Sequence, residues 1–241
     1  MSEHMIERAI IMAAGIGRRL QPVTLTTPKP LVKVNGVCMI DTLIAALHKN
    51  HIHEIYVVVG YLKEQFYAWA EQYDDVTLIE NPWFDLCNNI GSLYAARNHL
   101  KNAFVMDGDQ IIRNPAILHR EFTRSGYSCV WTDAPTNEWL LTVDEGIVTH
   151  CSRTGGAGGW QLFSVSRWTA EDGHRLKKHL ELEFLERQNQ TIYWDDVALF
   201  CHPEEYQLGV YPMHAGDVIE IDSLTELCDA DPTYKNGEFG A

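Results

Sequence analysis

Between Met12 and Pro30 the chain reads MAAGIGRRLQPVTLTTPKP, directly after the apolar run Ala9-Ile10-Ile11. Gly15 and Gly17 supply backbone that turns sharply and brings N–H groups up to phosphate oxygens. Arg19 offers a planar fork for a phosphate, and Lys29 offers a mobile point charge. A solvated basic turn is the alternative reading of the charge alone. Two familiar phosphate loops are excluded. A Walker A loop needs G-x-x-x-x-G-K-[ST], which is absent. A dinucleotide fingerprint needs a third glycine where this chain has Leu20. What remains is A-A-G-x-G-x-R-L followed by P-K-P, a loop suited to cradle a triphosphate by other means.

The elements that must position this loop follow from hydrophobic period. Ala9 to Met12 reads as a buried strand. Met39 to Lys49 has helical spacing, Glu54 to Val59 is a strand closed by Gly60, and Leu62 to Tyr73 is an amphipathic helix. Val76 to Ile79 is a strand, Ile90 to Leu100 a helix, and Ala103 to Met106 a strand that runs into Asp107-Gly108-Asp109. Such alternation predicts a parallel sheet with helices on both faces, and ligands of such sheets sit outside the carboxyl ends of the strands. After about residue 125 the texture changes to short alternating runs, at 127–132, 139–143, 146–151 and 160–165. Thr169 to Gln188 is expected to be largely helical. Two more strands are expected at 207–212 and 217–221, then a helix opened by Ser223. No repeat or low-complexity linker is visible. One domain over 6–230 is expected, with a first half at about 6–125 that carries the glycine loop and a mixed second half at about 126–230. A polar, frayed tail is expected at 231–241.

The chain has 241 residues, 46% of them hydrophobic, with a formal net charge of -14. That charge argues against nucleic acid or an anionic membrane as a partner, since both need a basic surface. No apolar run approaches the ~18 residues of a membrane span, so no membrane insertion is expected. Six cysteines form no C-x-x-C pair and read as reduced thiols of a cytoplasmic protein. His48, His51 and His53 read as surface residues rather than a metal site.

The glycine loop with its P-K-P resembles the signature of the nucleotidylyltransferases that activate sugar 1-phosphates and phospho-alcohols. The stretches YLKEQF (61–66), NNIGSLY (88–94), TNEWLL (136–141), YWDD (193–196) and VIEIDS (218–223) are similar to those of the bacterial CTP:phosphocholine cytidylyltransferases, the LicC-like group. The resemblance implies an α/β, Rossmann-like nucleotide-diphospho-sugar transferase fold with a mixed, mostly parallel central sheet and helices on both faces. It implies CTP and phosphocholine as substrates, CDP-choline and pyrophosphate as products, and Mg²⁺ as cofactor. Residue by residue it makes Lys29 the catalytic lysine and Asp109 and Asp222 the metal ligands. Arg19 and the backbone from Ala14 to Gly17 are expected on the β and γ phosphates. Ala13, Ala14, Asn88, Asn89 and Ser92 are expected at the base or ribose, although asparagines here also suit simple helix caps. Asp107 is read as a turn residue.

The acceptor expectation rests on chemistry as well. A quaternary ammonium has no N–H to donate, so aromatic faces with carboxylates nearby hold it best. Trp139, Tyr193 and Trp194 are the expected cage, and Glu138, Asp195, Asp196 and Glu220 the balancing charge. Tryptophans also fill cores, and that reading stays open. Two features depart from the family: the glycine-rich SRTGGAGGW (152–160), a mobile cover or a plain connector, and Gln110, where the family carries asparagine. Two other classes of acceptor chemistry remain: phosphoethanolamine or an aminoalkyl phosphonate, and a sugar 1-phosphate. A non-catalytic nucleotide- or choline-binding module is a third, less favoured reading. It is disfavoured because a sensor has no need of Arg19, Lys29, Asp109 and Asp222 together.

Overall fold

A computed structural model describes residues 3–236. Strand β1 (Arg8–Ala13), which follows a two-residue strand at His4–Met5, explains the layering. Side chains of a strand alternate between faces. Ala9, Ile11 and Ala13 enter one core cluster, while Ile10 and Met12 enter the other. Both faces are therefore covered, which is why the run reads as continuously apolar.

The first cluster is filled by α1 (Met39–Lys49) through Leu43, Ile44 and Leu47 and by α2 (Lys63–Ala70) through Phe66 and Trp69. The second takes α3 (Ile90–Ala95) through Ile90, Leu93 and Tyr94 and α4 (Ala170–Glu181) through Leu176 and Leu180. Between these layers run β2 (Ile55–Val59), β3 (Val76–Glu80) and β4 (Ala103–Asp107). They pair in parallel in the order β3-β2-β1-β4, with Ala13 opposite Val59 and Met12 opposite Asp107. The carboxyl ends of these strands thus converge on the glycine loop and the Asp-Gly-Asp turn.

Beyond β4 the sheet changes direction. Short β5 (Gln110–Ile112) leaves it. Four further strands are β6 (Gly126–Thr132), β7 (Leu140–Asp144), β8 (Ile147–Ser152) and the long β9 (Gly159–Trp168). β9 pairs antiparallel with β4, β6 and β7, and β7 pairs with β8. β10 (Gly209–Pro212) lies parallel to β6, and β11 (Val218–Glu220) pairs with β5. Among the described residues this makes one nine-stranded, mixed sheet and the β5–β11 ribbon, and two more ribbons pair His4–Met5 with Glu121–Phe122 and Lys33–Val34 with Val37–Cys38.

Several expected elements are trimmed. The helix expected to Tyr73 ends at Ala70, because Trp69 Nε1 and Tyr73 Oη both turn to donate to Asp41 Oδ1 (2.7 and 3.0 Å). The helix expected to Gln188 is regular only to Glu181. It then widens into a π-turn at Leu182–Glu186, where buried Glu183 accepts from Arg187 Nη1 at 2.6 Å. The tail was expected to fray from 231. To Asn236 it instead forms a short turn, in which Asp231 Oδ2 accepts from Asn35 N and Tyr234 Oη donates to Lys33 O, each at 2.7 Å. Residues 237–241 of that expected tail lie outside the described residues.

The last helix, α5 (Leu224–Ala230), begins in a capping box. Ser223 Oγ accepts from Glu226 N, and Glu226 Oε2 accepts from Ser223 N and Asp222 N, the last two at 2.7 Å. A small third cluster of Leu20, Val23, Val32, Met39, Ile221 and Leu227 seats this helix against the segment after the glycine loop. The cap thus fixes Asp222 in place. Ser223→Ala is expected to cost about 1 kcal/mol in urea unfolding, as loss of an N-cap does.

Candidate active site

Gly17 has φ +66°, and a Cβ there would meet Lys29 Cβ and Thr24 Cγ2 at 3.0 Å. Only a residue without a side chain lets the loop fold back over Lys29. Thr24 Oγ1 donates to Gly17 O at 2.8 Å, and Tyr61 Oη donates to Thr24 O at the same distance. A Cβ on Gly15 would meet nothing, so the loop's outer side is open.

Lys29 is buried, and its Nζ lies 2.5 Å from Asp109 Oδ2 and 2.7 Å from Asp222 Oδ1. Burial works to lower the Lys29 pKa, but the two carboxylates outweigh it and hold it above its usual value. Burial works to raise Asp222, but Lys29 and Arg19 outweigh it and hold the carboxyl below the usual range. Arg19 Nη2 lies 3.1 Å from Asp222 Oδ1, on a largely exposed side chain. Two carboxylates and two cations therefore meet where β1, the turn after β4 and the end of β11 come together.

A cavity of about 470 Å³ opens over the loop. Ala13, Ala14, Gly15, Gly17, Arg19, Asn88, Asn89 and Ser92 all line it, with Lys29, Asp109 and Asp222. Sequence reasoning missed Asn81, Phe84, Asp85 and Cys87 on its wall. Asn81 Nδ2 donates to Ser92 Oγ at 3.1 Å. Its signal was available: Asn81 follows β3 at the carboxyl end, where ligands of such sheets bind.

A second cavity of about 300 Å³ adjoins the first and shares Arg19, Asn89, Asp107, Asp109 and Asp222 with it. Glu138, Trp139, Tyr193, Asp195 and Glu220 line it, as do Leu162 and Ser164, which the sequence did not suggest. The Trp139 and Tyr193 rings meet edge to face at 5.7 Å. Gln110 Nε2 donates to Glu220 Oε1 at 2.8 Å, so the family departure at Gln110 orients a wall carboxylate.

Three expectations are corrected. Trp194 is fully buried between Tyr127 and Trp168, with ring centroids at 6.2 and 6.0 Å, and does not line the cavity. Asp196 is also buried away from it, accepting from Arg153 Nη2 at 2.6 Å and from Tyr193 N at 2.9 Å. It positions Tyr193 and leaves little charge for a ligand. Asp107 is more than a turn residue: it ends β4 and lines both cavities. Burial, then Asp109 and Asp195, push its carboxyl well above the usual range.

The glycine-rich segment is a connector with a defined shape. Gly155 has φ +73°, and a Cβ there would strike Thr136 O at 1.9 Å. Gly156 bridges Thr136 through two backbone hydrogen bonds of 2.9 and 3.0 Å. Arg153 lies over the Phe200 ring at 3.9 Å. The segment therefore ties the loop before β7, which carries Glu138 and Trp139, to the turn carrying Tyr193.

A glycine loop at the end of the first strand of a mixed sheet, facing a lysine between two aspartates, defines a nucleotidyltransferase site. The chain belongs to the family of the MobA-like NTP transferase domain, whose profile matches residues 9–170. It is 38% identical over 229 residues to the 2-aminoethylphosphonate cytidylyltransferase of Lancefieldella rimae, covering 94% of this chain and 92% of that one. It is 32% identical to the choline-phosphate cytidylyltransferase of Streptococcus pneumoniae, covering 95% and 99%. The solved CTP:phosphocholine cytidylyltransferase (LicC) of Streptococcus pneumoniae superposes with a TM-score of 0.85 at 31% identity, over 95% of this chain and all of that one. No helix among the described residues is long and apolar enough to cross a membrane.

Burial pushes the Asp195 carboxyl up from 3.8 to about 8. A carboxyl whose folded pKa is raised binds its proton more tightly folded than unfolded, so its contribution to stability falls as pH rises between those two values. The Asp195→Asn variant is therefore expected to lose less stability than the parent between pH 5 and pH 8, measured by thermal melting without ligand.

Proposed function

We propose that this enzyme transfers CMP from CTP to a small phosphorylated alkylammonium acceptor, phosphocholine, with CDP-choline and pyrophosphate as products. The carrying observation is the paired cavities. One is lined by phosphate-binding backbone and cations, the other by Trp139, Tyr193 and carboxylates, and both share Asp109 and Asp222.

The acceptor phosphate is already anionic, so no catalytic base is required. An acceptor oxygen attacks the α-phosphorus, and the bond to the pyrophosphate oxygen breaks. The barrier is repulsion between anions, and catalysis rests on in-line positioning and charge neutralisation. Backbone from Ala14 to Gly17 and the Arg19 fork hold the β and γ phosphates. Lys29 carries fixed positive charge at the reacting centre, at no cost of reorganisation during the step. Asn88, Asn89 and Ser92 contact the base and ribose.

Asp109 and Asp222 fit a divalent metal: they are hard oxygen donors from distant segments that converge on one cation, the Lys29 ammonium. Magnesium held there would neutralise charge on the phosphates.

Trp139 and Tyr193 offer ring faces to the quaternary ammonium, and Glu138, Asp195 and Glu220 supply the balancing charge. A second reading, with 2-aminoethylphosphonate as acceptor, is favoured by one observation. With Trp194 in the core, the aromatic enclosure has two walls, and carboxylates able to accept N–H bonds make up much of the rest.

Lys29→Ala and Asp109→Ala are each expected to stay folded and lose at least about 10²-fold in turnover, as loss of a preorganised charge does. Circular dichroism and pyrophosphate release with CTP and Mg²⁺ check this. Crossing each NTP with phosphocholine, phosphoethanolamine, 2-aminoethylphosphonate and glucose 1-phosphate tests the acceptor. Selective turnover of CTP with phosphocholine is the expected result. Trp139→Ala should then raise the KM for phosphocholine and leave that for CTP unchanged. Preference for 2-aminoethylphosphonate would establish the second reading and leave the phosphate site intact.

A further inference from the structure

At the opposite end of the sheet from the catalytic loop, three ligand-type side chains converge. His48 lies in the last turn of α1, His53 two residues before β2, and Asp75 one residue before β3. His48 Nε2 lies 2.8 Å from Asp75 Oδ2, and His53 Nδ1 lies 3.0 Å from the same oxygen. The two imidazole rings stack, with centroids at 5.0 Å and planes 21° apart, so their nitrogens reach the same oxygen from adjacent positions. The three donor atoms all lie within 4.8 Å of one another.

We propose that His48, His53 and Asp75 form a binding site for a divalent transition metal of the zinc class, distinct from the catalytic metal site. The donor set decides the metal. Two imidazole nitrogens and one carboxylate oxygen suit zinc, cobalt or nickel, whereas magnesium and calcium take oxygen ligands. Tetrahedral zinc with bonds of about 2.0–2.2 Å holds its ligands about 3.3–3.5 Å apart, a triangle that these atoms reach by small side-chain rotations. Asp75 is placed by the sheet itself, since its carbonyl accepts from Ile55 N at 3.2 Å. The side chain of His53 is 60% exposed, which leaves solvent access for water at a fourth position. The site joins the end of α1 to the starts of β2 and β3. Bound metal would act as a structural staple between helix and sheet. Because β2 spans five residues at about 3.3 Å each, this lies roughly 16 Å from the glycine loop. The expectation that His48, His51 and His53 are surface residues rather than a metal site did not consider Asp75, which lies more than twenty residues further on.

The test uses tag-free, chelator-treated enzyme at pH 8. Zinc chloride titrated calorimetrically is expected to show one saturable site, and cobalt chloride to give visible d–d absorption. Micromolar zinc should raise the melting temperature, since a ligand that binds only the folded state stabilises it. His53→Ala, chosen because that side chain is exposed, and Asp75→Ala should each weaken zinc binding at least about tenfold. Their turnover with Mg²⁺ should stay within about twofold of the parent's. Absence of a saturable zinc site would overturn the proposal. So would a site that survives in both variants, which would trace to other donors such as Asp109 and Asp222 or the cysteines.

Discussion

The contact of Lys29 with Asp109 and Asp222 is the interaction around which both cavities are assembled. It joins residues 80 and 193 positions apart and closes the end of the chain onto its beginning. A buried ammonium is tolerated only when it is paired and hydrogen-bonded. Here two carboxylates satisfy it, and each depends on a different part of the fold. Asp109 is delivered by the turn after β4, and Asp222 by β11 and the cap of α5. The left-handed glycine turn packs directly on the Lys29 stem. Loop, sheet and C-terminal helix therefore meet at one ammonium.

The sheet explains why one chain can present two different cavities side by side. Its parallel half ends in backbone, small residues and cations, which suit phosphates. Its antiparallel half extends beyond β4 and carries large aromatic and acidic side chains. The two halves meet at β4, whose last residue, Asp107, lines both cavities. The second cavity is stiffened from behind. Gly155 and Gly156 clasp Thr136, Arg153 binds Asp196, and Asp196 accepts from Tyr193 N. A segment with four glycines thus becomes a strap of defined shape, because Gly155 at φ +73° lets the backbone close directly on Thr136.

Acidic groups are crowded around the second cavity, and burial keeps some of them from ionising together. Asp195 and Glu220 are pushed up to about 8 and about 7, mainly by burial. Near neutral pH an empty cavity can hold these carboxyls partly protonated. A cationic ligand entering the cavity would favour their charged forms, since an opposite charge nearby lowers a carboxyl pKa.

The sequence by itself determined the phosphate end of the site and the layering of the fold. A glycine loop after a strand has few chemical uses, and the alternation of Ala9, Ile11 and Ala13 with Ile10 and Met12 announces two covered faces. The types of nearly all long elements were legible for the same reason, since period 2 and period 3.6 are local properties of the chain. Only the tertiary structure decided which neighbour in YWDD faces the cavity. Tyr193 and Asp195 line it, while Trp194 and Asp196 turn into the core. The four residues span the change from a turn at Tyr193 and Trp194 to the helical start at Asp195 and Asp196, so no single period runs across them. It alone paired Asp222 with Lys29 and brought Asp75 to His48 and His53. Such meetings depend on how separate elements pack, and spacing along the chain does not encode them.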